Sequence, residues 1–309
     1  MRLLPLSLLR PTPGVRRAIR RALGLKRYAA LRGFLRRARG LTPVAPRWSA
    51  TGGVCPVCDA SLPAFTINEY DELICPDCLS YPRTRAAMLY LDERVRPRLE
   101  RGAALRLLHF SPHLEKARAL RRWRGLAHVS ADRSWPDLGS LGGASRVQSD
   151  MEDLPFRARS FELAIALAVV PFVRRDQRAF SELSRLLVPG GVLLLEATLF
   201  GERTTELYTP DELERLSYAL KPAFEGLLPS SKWEVGGRLL HDPRQYIHRH
   251  GWDVRERLEA AGFEPRALSF EALCHARGFA ADRFGLAEAA KHVLFECVRR
   301  PEPSRLEEP

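Results

Sequence analysis

Residues 150–198 read DMEDLPFRARSFELAIALAVVPFVRRDQRAFSELSRLLVPGGVLLLEAT, and the fold turns on them. FELAIALAVVPFV (161–173) is apolar almost without a break, as expected of a strand buried on both faces of a sheet. RDQRAFSELSRLL (175–187) has the spacing of an amphipathic helix, with Phe180, Leu183 and Leu187 inward. VPGG follows, where Gly190 or Gly191 is expected to supply the left-handed residue that ends the helix. GVLLLEAT (191–198) is then a second apolar strand. A strand, a helix and a strand in this order predict a parallel pair joined by a crossover.

The same alternation extends both ways. Upstream, LRLLHF (105–110) reads as a strand, Ser111-Pro112-His113 as a loop, and LEKARALRRW (114–123) as a helix. LAHVSAD (126–132) is a strand ending in Asp132, and SRVQSD (145–150) another ending in Asp150. Downstream, DVRERLEAAGFEPRALSF (253–270) reads as helix, turn at Gly262 and strand, and HVLFECVRR (292–300) as a final strand. The pattern predicts an α/β domain with a mainly parallel sheet covered on both faces. About fifty residues rich in Pro, Tyr, Trp and His (199–250) lie between, long enough to be a cover over a ligand side. The 111–113 loop lacks the glycines that let a nucleotide approach bare backbone. Pro112 can still open a helix, where its missing N–H is not needed.

The formal charge of +12 is unevenly placed. Residues 1–50 hold thirteen Arg or Lys and no acid, which leaves 36 basic and 37 acidic residues for the nearly neutral remainder. Within that arm, residues 14–40 space Val15, Ile19, Leu23, Tyr28, Leu31 and Leu35 at helical intervals between arginines. The pattern suits an amphipathic helix on an anionic membrane surface or a segment that meets nucleic-acid phosphates, and the plainer reading, which composition favours, is a solvated arm or one docked on the body. LLPLSLL (3–9) is short for a signal peptide core and no small-residue cleavage site follows it, so a cytoplasmic location is expected, with the arm able to rest on a membrane; an arginine-rich, acid-poor organelle transit peptide is the alternative.

Four of six cysteines form CPVCDASLPAFTINEYDELICPDC (55–78). Cys55, Cys58, Cys75 and Cys78 make two C-x2-C knuckles joined by a hairpin-length linker, with AFTINEY and ELI as short strands around a turn at Asp71. That spacing points to a tetrahedral zinc site. Four thiolates close the coordination shell, so the expected zinc is structural. The helix that follows, from about Arg83, should turn Ala86, Leu89, Tyr90 and Val95 to one face. Cys274 and Cys297 stand apart in apolar surroundings and are expected to fill core space.

The ordered run over 150–198 resembles the central part of class I S-adenosylmethionine-dependent methyltransferases of the type 11 kind: an acid, then LPF, SFD, a buried strand, a helix ending R-L-x-PGG, and a strand. The whole chain resembles a narrower bacterial group in which a paired CxxC knuckle and an R-x-R helix precede a domain whose first loop reads LHFAPE. Here these stand as Cys55 to Cys78, Arg83-Thr84-Arg85, and LHFSPH (108–113); HGWD (250–253) and Gly262-Phe263 echo later features. This chain departs from the pattern at Glu162 (for Asp), AVVPF (168–172, for VLEH), His113 (for an acid) and QYIHRHG (245–251).

The resemblance implies a Rossmann-like sheet of seven strands, mainly parallel with the last antiparallel, preceded by a small zinc-ribbon-like module and a basic helical arm. The corresponding divisions are 1–50 arm, 51–101 knuckle and connecting helix, 102–300 methyltransferase-like domain, and 301–309 tail. It implies S-adenosylmethionine as cofactor. Asp132 would accept from the ribose hydroxyls and Asp150 from the adenine amino group, with Met151 against the adenine ring and Phe110 and Ser111 along the methionine part. Either aspartate could instead be a turn or cap residue. Methyl transfer needs a base only for a weak nucleophile, and the candidates are Glu196, His241, His248, His250 and Asp253. The expected acceptor is a small molecule or glycan. A catalytically silent binding module is the alternative, and an RNA methyltransferase is disfavoured because the body is neutral and the arm lacks aromatics spaced for base stacking.

Overall fold

The computed structural model describes residues 53–67, 72–112, 119–120, 122–133, 145–223, 228–235, 238–239, 246–275, 286 and 292–301. The basic arm at 14–40, Asp71, His113, most of the helix expected at 114–123, His241 and residues 302–309 lie outside them. The chain divides into two compact units, one of residues 1–90 with 270–289, the other of residues 91–269 with 290–309.

In the first unit, β1 (Gly53–Cys55) and β2 (Ala60–Leu62) pair antiparallel, as do β3 (Thr66–Ile67) and β4 (Leu73–Ile74). Helix α1 (Pro82–Arg94) starts on a proline, which lacks only an N–H the first turn leaves unused. The expected single inward face was too narrow. Every residue from Thr84 to Leu91 is buried, so α1 is covered all round rather than amphipathic. A short α2 (Arg96–Glu100), already in the second unit, follows, reset by Pro97 in its first turn.

The second unit holds β5 (Leu105–Phe110), β6 (Leu126–Asp132), β7 (Ser145–Gln148), β8 (Phe161–Leu167), α3 (Asp176–Leu186) and β9 (Leu187–Thr198). Then come β10 (Thr205–Glu206), α4 (Pro210–Arg215), an antiparallel trio β11 (Leu216–Ala223), β12 (Leu228–Val235) and β13 (Arg238–Leu239), and β14 (His248–Arg249). After β14 come α5 (Val254–Ala260) and β15 (Phe263–Leu268). Helix α6 (Phe270–His275) falls in the first unit, and β16 (His292–Arg299) closes the second.

Seven strands form one sheet in the order β15-β16-β9-β8-β5-β6-β7. β7, β6, β5, β8 and β9 run parallel, and β16 is antiparallel to both β9 and β15. This is the mainly parallel, seven-stranded Rossmann-like sheet expected, with an antiparallel last strand. Its order reverses between β5 and β8, where α/β sheets open a ligand crevice at their carboxyl ends. Phe180, Leu183 and Leu187 are fully buried, in one cluster with Leu195, Phe263 and Phe295.

Three local readings change. The apolar run 161–173 is a strand only to Leu167. Ala168 takes a left-handed φ of 54° and Val170–Phe172 form a 3-10 turn, so Val170 and Val173 join the core cluster instead of lengthening β8. The helix at 176 ends without a glycine, because Leu187 is already extended. Gly190, at φ 73°, instead turns a bulge between the Phe161–Leu187 and Leu163–Val192 pairs, and a side chain on Gly191 would meet the Val188 carbonyl at 2.8 Å. The third parallel strand stops at Gln148, which leaves Asp150 in the turn beyond it.

Candidate functional site

Cys55, Cys58, Cys75 and Cys78 bring four Sγ atoms within 4.8 Å of one another. The two C-x2-C turns are alike: Asp59 N–H donates to Cys55 O and Leu79 N–H to Cys75 O, both at 2.8 Å. Asp59 and Leu79, each just past the second cysteine of its knuckle, both take left-handed φ values (56° and 63°). The sulfurs are all free thiols, at 3.6 Å (Cys55–Cys78) and 3.9 Å (Cys58–Cys75). A disulfide would need about 2.05 Å, whereas the corners of a tetrahedral zinc–thiolate site at ~2.3 Å bond length are about 3.8 Å apart. The cluster therefore fits a four-coordinate metal ion. Hydrogen bonding with the other three sulfurs pushes the Cys58 thiol up and burial pushes Cys75 up, whereas at Cys55 burial is outweighed by hydrogen bonds from the other sulfurs, which hold that thiol well below its ordinary value.

At the other candidate site, the parallel register aligns the ends of three strands. Phe110 lies opposite Ala131, and Asp132 opposite Gln148. Ser111 Oγ donates to Asp132 Oδ2 at 2.6 Å, and Ser111 N–H to the Ala131 carbonyl at 2.9 Å. Ser111 has a φ of 41°, so the glycine-free loop still makes the left-handed turn that glycine makes without strain. Phe110 and Met151 are buried at 4% and 5% exposure and belong to the core cluster beneath this edge. Replacing Ser111 separates strain from bonding. Ser111→Ala loses the bond to the carboxylate and keeps the strain, whereas Ser111→Gly loses the bond and relieves the strain. The glycine variant should be the more stable by about 1 kcal/mol in urea unfolding. An alanine variant as stable as the glycine one would contradict the left-handed turn.

Asp150 is held as a turn residue as well as a strand-end acid. Its Oδ1 accepts from Glu152 N–H at 3.1 Å, and its Oδ2 pairs with Arg133 and, at 3.7 Å, with Arg174. Glu152, 3% exposed, accepts from the backbone N–H of Arg174 (3.1 Å) and Arg175 (3.3 Å). These arginines were missed by the sequence reading, although Arg133 directly follows Asp132 and Arg174-Arg175 directly follow the β8 loop. They place a cationic rim against Asp150 and Glu152.

The base candidates among the described residues, Glu196, His248, His250 and Asp253, are already engaged. Glu196 is fully buried and pairs with His292 Nδ1 at 2.7 Å. Asp253 accepts from Thr204 N–H (2.8 Å) and Oγ1 (2.6 Å). His248 has Nδ1 on Glu206 and Nε2 on the Val173 carbonyl at 2.8 Å. Both partners are acceptors, so both ring nitrogens donate. Burial opposes that charge, but Glu206, Asp176 and the carbonyl outweigh it and raise the His248 pKa. His250 Nε2 donates to Asp176 Oδ2 at 3.1 Å, and Arg257 Nη1 donates to both oxygens of Asp176 (3.1 and 2.9 Å). The histidines thus tie the cover segment to the loop after β8. The departure at Glu162 is equally structural, since it accepts from Arg106 N–H and Nη2 at 2.6 Å each across the sheet. Above this edge Tyr246 packs on Phe172 and Phe200 at 5.4 and 5.6 Å between ring centres, with Phe200 42% exposed.

Residues 108–195 match the family model described as "Methyltransferase domain". The matched segment runs from β5 to β9 of the second unit, and the cysteine cluster lies ahead of it in the chain. Solved structures similar in fold include an S-adenosylmethionine-dependent methyltransferase from Mesorhizobium loti (17% identity, 67% of this chain and 99% of that one, TM-score 0.41). A 1,6-didemethyltoxoflavin-N1-methyltransferase from Burkholderia thailandensis is another (15%, 71% and 87%, TM-score 0.40). A third is the [4+2]-cyclase SpnF (17%, 71% and 83%, TM-score 0.41). A search of curated proteins finds no match.

Proposed function

We propose that the protein transfers a methyl group from S-adenosylmethionine to a small-molecule or glycan-type acceptor, and that the cysteine cluster holds a structural zinc ion. The observation that carries the reading is the alignment of Ser111, Asp132 and Asp150 on one carboxyl edge, inside a segment that matches a methyltransferase domain. S-adenosylmethionine supplies a sulfonium methyl for in-line displacement. The chain's part is to hold donor and acceptor in line. Asp132, oriented by Ser111, suits a ribose diol; Asp150 suits the adenine amino group once Arg133 releases it. The partly exposed, mutually tilted rings of Phe172, Phe200 and Tyr246 offer an apolar surface to an acceptor, which supports the small-molecule or glycan class. With the described base candidates buried or paired, acceptors that are already nucleophilic, such as amines, fit best.

Calorimetric titration with S-adenosylmethionine and S-adenosylhomocysteine tests the reading. We expect micromolar binding, about −8 kcal/mol, weakened at least tenfold by Asp132→Ala and by Asp150→Ala. Absence of binding to folded protein would leave a binding module on a methyltransferase fold.

A further inference from the structure

The R-x-R motif at the head of α1 has no place in the cofactor site, yet Arg85 is fully buried in the unit that carries the four cysteines. Its guanidinium donates through Nη1 to the Ser80 carbonyl and through Nη2 to the Leu73 carbonyl at 2.6 Å. Those two residues flank the second knuckle, so one side chain grips both shoulders of Cys75 to Cys78. The Ser80 carbonyl also accepts from Cys75 N–H at 3.0 Å, while Ser80 Oγ lies 3.2 Å from Cys78 Sγ and 3.4 Å from Cys55 Sγ. On its other face the guanidinium lies 4.5 Å from the centre of the Phe65 ring, contributed by the linker between the knuckles. Arg83, two residues earlier, is committed to Glu72 at 2.7 Å.

Charge accounts for this arrangement. Four thiolates around a divalent cation leave two net negative charges, and Cys55, Cys75 and Cys78 are all at most 4% exposed. Taking such a group out of water is costly unless a cation is buried with it. A guanidinium is the suitable one, because it stays protonated, is weakly hydrated and spans two carbonyls at fixed separation.

We propose that Arg85 is the built-in counter-charge of the tetrathiolate metal centre, positioning the second knuckle and stabilising the bound metal electrostatically. The inference rests on the zinc reading above. Outer partners of this kind typically change metal affinity ten- to a hundredfold.

The test uses the full chain, with zinc affinity measured by competition against a chromophoric chelator and the sulfur-to-metal charge-transfer band read after cobalt(II) substitution. Arg85→Gln should bind zinc ten- to a hundredfold more weakly. Its cobalt band should move to longer wavelength, because removing a nearby positive charge raises the sulfur electrons. Arg85→Lys, which keeps the charge but spans one carbonyl at a time, should return the band toward the wild-type position with affinity only partly restored. Arg83→Gln should leave both readouts unchanged. Equal zinc affinity and an unmoved band in Arg85→Gln would overturn the inference while leaving the zinc centre standing. If Arg85→Gln does not fold, a band in Arg85→Lys displaced well away from wild type overturns it instead. Wild-type protein that takes up no zinc would overturn the metal centre itself.

Discussion

Cys75→Ser is expected to release zinc and unfold residues 53–80 while the seven-stranded sheet keeps its structure. The four described strands of this module are two or three residues long, too short to hold themselves together. Metal binding is then folding energy, about 10–16 kcal/mol for structural zinc in small peptides at neutral pH. Loss of one of four ligands removes most of it, and a strong chelator should act in the same way. Hydrogen exchange resolved by segment checks this: amides of 53–80 should lose protection on mutation or chelation, and those of β5, β8 and β9 should not. Protection that persists in the module after the metal is gone would show that the hairpins and Arg85 suffice alone.

Asp176→Asn should cost about 3 kcal/mol, because the largely buried carboxylate accepts from His250 and from Arg257, and its loss breaks the buried pair with Arg257 and leaves that guanidinium to Glu206. The same residue sets an acid dependence. Burial alone would raise its pKa, but His250, His248 and Arg257 outweigh it and hold the carboxyl at about 2, below the ordinary 3.8. A depressed carboxylate contributes stability above its unfolded value and loses it as pH falls through the folded one, so about 2 kcal/mol should disappear between pH 4 and 2. His248 has the opposite sign. Its raised pKa contributes fully below 6.5, and the contribution fades as pH climbs through the folded value. Denaturant unfolding from pH 2 to 8 should therefore show a broad maximum between about 4 and 6.5, with the acid slope reduced in Asp176→Asn. Wild-type and variant curves that stay parallel from pH 4 to 2 would refute the assignment.

Much of the architecture was legible because it rests on composition and period. The apolar β8, the helix carrying Phe180, Leu183 and Leu187, and the strand ends at Phe110 and Asp132 need no knowledge of distant residues. The four cysteines were legible for a similar reason, since two short local spacings carry the metal geometry. What escaped depends on partners far along the chain. Gly190 was assigned to the helix end, but its turn serves a bulge set by the register of β8 against β9. His248 and His250 were plausible bases by residue type; only the approach of Glu206, Val173 and Asp176 across forty to seventy-five residues makes them structural. Ser111 looked like the mark of an absent phosphate loop, yet its backbone has the conformation that such a loop requires.

The place of β16 in the sheet bears on how the protein comes to be folded. Residues 292–299 lie between β9 and β15, bonded on both sides, although they are made after both. Until they leave the ribosome, β9 exposes an unpaired apolar edge and β15 has no neighbour in the sheet. Pairings so distant in sequence are slow to close and expose the nascent chain to association. The four cysteines, all made by residue 78, can take their metal long before, but their unit also draws on residues 270–289, so synthesis should pass through a species with a metal-bound knuckle pair and an open sheet.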